Sequence, residues 1–268
     1  MLHIMFDAYQ ADAEEINNLR RIYEKMNKVI GQLALKSIMP PVLVPYYYGD
    51  VKEDDGISAF ILLKGGHFTI HTFPERECYF VDILYDGFIN QDKFLQSMQA
   101  EFPFRSKIFN VVDRRFNIKD QTRFATINER EDFGPHYMIK TLRPKDFTMD
   151  EIYTFLDKLP TKINMDPIFR PVVITDSVND PKIYSGLTVI AQSHIAFHYY
   201  KETGMAYIDI FSCSFINCND LGCEVMKALD GAEIESILIS RGSKHTQKTT
   251  QRDEYISRYN QWQENIRG

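Results

Sequence analysis

Two stretches of this 268-residue chain carry hydroxyl, imidazole, carboxylate and thiol groups at matched spacing. The first runs Gly65-Gly66-His67-Phe68-Thr69-Ile70-His71-Thr72-Phe73-Pro74-Glu75. The second runs Gln192-Ser193-His194-Ile195-Ala196-Phe197-His198-Tyr199-Tyr200-Lys201-Glu202. A constant offset of 127 lays one on the other and also carries Ser58 to Ser185, Asp82 to Asp209 and Phe88-Ile89-Asn90 to Phe215-Ile216-Asn217. One ungapped offset over such a length marks an internal repeat. The copies differ where chemistry needs reactive groups: Ser193 stands over Gly66, and Cys213 over Asp86. A serine hydroxyl can attack a carbonyl. A thiol with a reference pKa of ~8.5 is mostly protonated at neutral pH and can donate a proton.

These residues need elements to position them. Gly65-Gly66 lies between two strand-like runs and predicts a two-residue hairpin turn with positive φ. Gln192-Ser193 falls at the same point, where non-glycine residues would either hold a strained peptide or form a differently shaped, longer turn. Ser193 and His198 are five apart, so a regular strand points them to opposite faces. A partner from the other repeat, His71, avoids that difficulty, whereas a bulge at the turn would let His198 reach Ser193. Repeat 1 is read as residues 1–130 and repeat 2 as 131–268, joined through the polar segment Asn128 to Gly134. In repeat 1 the pattern predicts a strand over Leu2 to Tyr9 and a helix over Ala11 to Ser37. Strands follow over Val42 to Tyr48, Ile57 to Lys64, His67 to Phe73 and Cys78 to Leu84, then a helix over Gln91 to Glu101 and a strand over Ser106 to Val112. Repeat 2 follows suit, with helices near Met149 to Leu159 and Leu221 to Leu229, and a further helix over Thr249 to Ile266. Two such units bury both sheets by packing sheet on sheet with helices outside, an α+β fold with an α/β/β/α sandwich of antiparallel sheets.

The run from Ser193 to Glu202, continued by Asp209-Ile210-Phe211-Ser212-Cys213, resembles the core motif of prokaryotic-type S-adenosylmethionine decarboxylases. In that family Glu-Ser-His and a short apolar run lead to His-Thr-Trp-Pro-Glu and then Asp-x-Phe-Thr-Cys. The first copy follows the same pattern, so the resemblance spans both repeats in tandem-duplicated form. It implies a self-processing pyruvoyl enzyme. Ser193 would attack the carbonyl of Gln192, and the chain would break by β-elimination into residues 1–192 and 193–268. The new ketone, a cofactor made from Ser193 itself, would form a Schiff base with a substrate amine and serve as electron sink. By the same resemblance Cys213 is the proton donor, Ser58 and His71 assist processing, and Glu75 holds the substrate ribose. Repeat 1 would supply Ser58, His71 and Glu75 to the Ser193 and Cys213 of repeat 2. Ser185, His198 and Glu202 would fall to an opposite, dead site. Gln192 departs from the usual glutamate, and Tyr199-Tyr200-Lys201 departs from Thr-Trp-Pro. Asp7 and Lys140 fall near a family acidic position, where a lysine would repel a sulfonium.

Three functions fit these residues. The first is decarboxylation of S-adenosylmethionine for polyamine (spermidine) biosynthesis. The second is pyruvoyl chemistry on arginine or ornithine. The third is an uncleaved relative with a binding or regulatory role. A net charge of -6 argues against nucleic acid, and the basic stretch from Arg241 to Arg252 reads as solvated surface. The apolar run Ala59 to Leu63 is far too short to span a bilayer, and acidic residues near the start argue against a signal peptide. The expectation is a cytoplasmic monomer or homodimer acting on a small molecule. Cys78, Cys213, Cys218 and Cys223 lack a zinc spacing, so no metal is expected and free thiols are. Cys218, Cys223 and Trp262 read as structural.

Overall fold

The computed structural model describes residues 1–114, 128, 131–142, 145–213 and 218–243. The first half runs β1 (Leu2–Tyr9), α1 (Ala13–Ile16), α2 (Leu19–Leu33), β2 (Val42–Tyr46), β3 (Gly56–Leu63), β4 (Gly66–Phe73), β5 (Cys78–Tyr85), α3 (Gln91–Glu101) and β6 (Ser106–Asp113). The second runs β7 (Gly134–Thr141), α4 (Met149–Lys162), β8 (Val172–Thr175), β9 (Ile183–Ile190), β10 (Ser193–Tyr200), β11 (Met205–Phe211), α5 (Cys218–Ala228) and β12 (Ile234–Arg241). Each half forms a six-stranded sheet, ordered β2-β3-β4-β5-β1-β6 and β8-β9-β10-β11-β7-β12. Every pairing is antiparallel, and the two orders match strand for strand. The fold is the α+β sandwich of antiparallel sheets that the repeat predicts.

Strand alternation divides each sheet into two faces. On the outer face of sheet one, Phe6, Ile61, Phe68 and Val81 meet Ile22, Met26 and Phe94 of the helices. On sheet two, Ile195, Phe197 and Ile208 meet Phe155, Leu156 and Val225. The inner faces meet each other through Phe60 and Leu62 against Leu187, Val189 and Ala196. Such side chains each stabilise by about 1.5–3 kcal/mol when fully buried. Because both faces of each sheet are covered, all of β3 and β4 is buried. The polar residues of the inner face are therefore locked in the interior with the apolar ones.

Several local expectations change. The single helix over Ala11 to Ser37 is two, because Asn18 adopts an extended backbone and its side chain caps the Arg21 N–H at 3.0 Å. Asparagine competes for backbone groups inside helices and favours caps. The hairpin turn is Lys64-Gly65, not Gly65-Gly66: Leu63 pairs with Gly66, and Gly65 has φ +75. Likewise the second turn is Ala191-Gln192, since Ser193 already pairs with Ile190. Arg241 is not solvated; it is 1% exposed. The rest of that basic stretch beyond Ser243, the helix over Thr249 to Ile266, and Trp262 lie outside the described residues. Cys223 is exposed rather than buried, whereas Cys78 is buried and burial pushes its thiol up. No helix among the described residues is long and apolar enough to cross a membrane.

Candidate active site

The turn before Ser193 is the most constrained point. Gln192 is buried and has φ +50, where its counterpart is Gly65. A left-handed conformation costs an L-residue about 1–2 kcal/mol. Ser193 is fully buried, and its Oγ accepts a hydrogen bond from the Cys213 N–H at 2.9 Å. The Cys213 thiol donates to the Ala191 carbonyl at 3.3 Å. Hydroxyl and thiol thus flank one turn. In the other half, a Cβ on Gly66 would stand 1.8 Å from the Leu84 carbonyl oxygen. The backbone of β5 itself excludes a serine there.

Strand parity puts Ser193 on the outer face with Ile195 and Phe197, and His194 and His198 on the inner face. The inner face of sheet one answers with its own histidines. The Ser58 hydroxyl donates to Gln192 Oε1 at 3.0 Å, and Ser58 Oγ lies 2.8 Å from His71 Nδ1. His71 Nε2 lies 2.9 Å from His194 Nδ1. Ser58 and His71 therefore meet the residues on either side of Ser193; the recorded partner of the Ser193 hydroxyl is Cys213. The opposite end repeats the pattern: Ser185 Oγ to His198 Nδ1 is 2.9 Å, and His198 Nε2 to His67 Nδ1 is 2.8 Å. There the Tyr200 hydroxyl donates to the Gly65 carbonyl at 2.8 Å, filling the space beside the turn. His198 is thus engaged by Ser185 and His67 at the Gly65 end. Glu75 is exposed on the turn Pro74–Arg76 that follows β4, and Glu202 is exposed at the equivalent turn.

Between the two ends lies a pseudosymmetric ionic core. Arg114 donates to Asp209 and, at 2.7 Å, to the Ile139 carbonyl. Arg241 donates to Asp82 at 2.6 Å, and its Nε donates to Asp7 at 2.9 Å. Burial disfavours the Arg241 charge, but Asp7 and Asp82 outweigh it and hold the guanidinium protonated. His3, His136 and Asp209 come close enough to hold a cation, as do His67, His198 and Asp209. Their donor chemistry does not suit one. Arg241 donates to His136 Nδ1 at 2.9 Å and Arg114 to His3 Nδ1 at 3.4 Å, so the other ring nitrogen of each neutral imidazole carries its proton. His67 and His198 are tied to each other, and the Arg114 guanidinium, bonded to Asp209, stands beside both sets. Burial keeps these imidazoles neutral: it lowers the pKa of His3 and His67 to about 3 and that of His71 to about 4. His136, His194 and His198 are lowered by the same cause.

Phe73, Phe80, Phe133 and Phe211 form an aromatic wall beside Cys213 and Tyr9. Arg241 stacks over Phe211 at 5.0 Å, and Asp7 accepts from the Gly242 N–H at 3.0 Å. Asp7 therefore belongs to the Ser193 end. Lys140 pairs in register with Tyr207, whose ring meets Tyr200, so it belongs to the Gly65 end. Lys140 and Asp7 thus lie at opposite ends of the seam. The buried Arg114 and Arg241, Asp82, Asp209, His3, His67, His136 and His194 carry no role in the sequence reading, which names only His71 and His198 among the inner histidines. The 127 offset relates Arg114 to Arg241, Asp82 to Asp209 and His67 to His194, whereas His3 and His136 lie outside that register.

One half of a duplicated antiparallel sandwich keeps a serine at a left-handed turn, and the other half sends a hydroxyl and an imidazole to that turn. This arrangement defines a class of duplicated sandwich proteins with one serine-bearing left-handed turn per pair of repeats. A family model described as S-adenosylmethionine decarboxylase matches residues 2–115 and 137–242, one stretch in each sheet. The chain belongs to the S-adenosylmethionine decarboxylase family. The S-adenosylmethionine decarboxylase proenzyme of Prochlorococcus marinus (strain MIT 9211) is 30% identical over 73 residues, covering 27% of this chain and 52% of that protein. The proenzyme of Methanococcus aeolicus is 38% identical over 64 residues, covering 24% and 55%. The chain spans about half the length of the curated relatives it matches. A crystal structure of the adenosylmethionine decarboxylase from Aquifex aeolicus matches 43% of this chain and 95% of its own, with 21% identity and a TM-score of 0.35.

Proposed function

We propose that this chain is a self-processing, pyruvoyl-dependent decarboxylase of S-adenosylmethionine with one composite site. The observation that carries the proposal is the turn: a non-glycine residue in a left-handed conformation, immediately before a buried serine. The Ser193 hydroxyl adds to the Gln192 carbonyl carbon. The peptide bond breaks as the ester forms, and the Ser193 amine is freed. A base removes the Ser193 Cα proton and the Cβ–O bond breaks, releasing residues 1–192 with a terminal carboxylate. The remaining dehydroalanine takes up water and loses ammonia to become a ketone. Strain at Gln192 favours the first step by raising the energy of the bond to be broken.

The residues fit a pyruvoyl group at this position, since its precursor serine is buried and oriented by the Cys213 N–H. Such a ketone supplies an electron sink for loss of an α-carboxylate as carbon dioxide. The chain's own residues do the rest. Cys213 delivers a proton to the substrate carbon. The phenylalanine wall excludes water. Exposed Glu75 accepts hydrogen bonds from ribose hydroxyls, and Asp7, not Lys140, faces the end where a sulfonium would lie. Ser58 and His71 act from repeat 1, while Ser185 and His198 hold the dead end together. The site is complete within one chain, so a second copy is not required.

Intact mass of freshly purified protein tests this reading. A fragment ending at Gln192 and one beginning with a pyruvoyl group, made from Ser193 and amide-linked to His194, are expected, with Ser193→Ala remaining whole. Ser58→Ala should slow cleavage while Ser185→Ala does not. Carbon dioxide release should favour carboxyl-labelled S-adenosylmethionine over arginine and ornithine. A folded chain that stays uncut on incubation would overturn the proposal in favour of a non-catalytic role.

A further inference from the structure

His194 follows the cleavage serine directly but points to the opposite face, away from Cys213. Its Nδ1 lies 2.9 Å from His71 Nε2, and the two rings are only 9° from parallel. With centroids 5.1 Å apart, the two near-coplanar rings meet edge to edge, which is compatible with an N–H···N bond in the plane of both. The protons along this line can be assigned one by one. Ser58 has a single hydroxyl proton and gives it to Gln192 Oε1. Ser58 Oγ must then accept from His71, which places the proton of His71 on Nδ1. The Nε2 of a neutral His71 is consequently a lone pair, and His194 must donate to it through Nδ1–H. The remaining nitrogen of His194, Nε2, is buried and has no hydrogen-bond partner among the described residues. Thus one proton arrangement satisfies every recorded bond.

We propose that His194 is a positioning residue that holds His71 in the Nδ1–H tautomer, so that His71 donates to Ser58 and Ser58 donates to the side chain of Gln192 at the scissile peptide. This deepens the self-processing reading and rests on it. The opposite end supplies an internal comparison. His67 and His198 make the same pair beside Ser185, but Gly65 has no side chain to accept the hydroxyl proton, so nothing at that turn sets the direction of the line. The glutamine that departs from the family pattern keeps an acceptor oxygen where a glutamate would have had one. Without the His194 donor, His71 is free to carry its proton on Nε2. Ser58 would then turn its hydroxyl toward His71 Nδ1 and leave Gln192.

Nitrogen-15 NMR of the ring nitrogens in full-length Ser193→Ala protein tests the tautomer without cleavage. His71 is expected to show a protonated Nδ1 and a bare Nε2. Adding His194→Leu should shift the population toward Nε2–H. In the cleavable chain His194→Leu should slow processing at least about tenfold, as the wrong tautomer does in other histidine systems. His194→Asn, whose amide can donate from nearly the same place, should restore most of the rate and the tautomer. An Nε2–H His71 in Ser193→Ala, or wild-type processing by His194→Leu, overturns the proposal; should His194→Leu not fold, His194→Asn and the tautomer measurement decide it. If the wild-type chain never cleaves, the self-processing reading fails, while the tautomer result still judges the role of His194.

Discussion

A single side chain at position 192 serves two ends at once: its backbone is strained and its amide oxygen accepts from Ser58. Replacement by glutamate keeps an acceptor and should preserve self-cleavage, whereas Gln192→Leu should slow it while leaving the fold intact. Time courses of fragment formation check this. Arg241 is the other residue with outsized weight. It is buried, its charge is shared by Asp7 and Asp82, and removing it strands two carboxylates. Arg241→Leu should cost about 3–5 kcal/mol in urea unfolding. Arg241→Lys should recover little, because an ammonium cannot reproduce the guanidinium's fork of bonds.

Among elements, β5 decides why only one of the two matching turns is followed by a serine. It runs to Tyr85 and brings the Leu84 carbonyl against Gly66. The matching β11 stops at Phe211, and the chain turns so that Cys213 meets Ser193. Restoring the lost hydroxyl by Gly66→Ser should therefore create no second cleavage at residue 66. It should instead destabilise the fold by about 1–3 kcal/mol through overpacking. Mass spectrometry and denaturant midpoints read the two effects separately. The break between α1 and α2 has a plain local cause as well. Asn18→Ala removes the cap on the Arg21 N–H and should cost about 1 kcal/mol.

Across the whole molecule, the seam between the sheets is a store of neutral imidazoles. Burial lowers the pKa of His71 to about 4 and of His3 and His67 to about 3, from the ordinary 6.5. Below pH 6.5 the unfolded chain binds protons that the native state refuses. Each such proton removes about 1.4 kcal/mol of stability per pH unit. The stabilisation is fully present above pH 6.5 and drains as the pH falls toward 4 and then 3. Urea midpoints measured from pH 8 to 4 should be flat at first and then drop steeply below 6.5. A midpoint that holds constant down to pH 5 would show that the histidines are not buried neutral.

Much of this architecture is written locally along the chain. Strand periodicity, the 127-residue offset and the Ser193…Cys213 motif lead to two antiparallel sheets and to the residues around the Ala191-Gln192 turn. What pairs across the seam is not written that way. Asp7 and Arg241 are 234 positions apart, and His3 matches His136 at an offset of 133, which the repeat register skips. The basic stretch beginning at Arg241 has the composition of a surface segment, yet the close of two sheets buries its first residue. Alternation tells which side chains share a face; it cannot tell which foreign face will cover them. Only the packing of one sheet on the other brings Ser58 and His71 to Gln192 and His194, because those contacts depend on the spacing and rotation of two layers that no short stretch of sequence encodes.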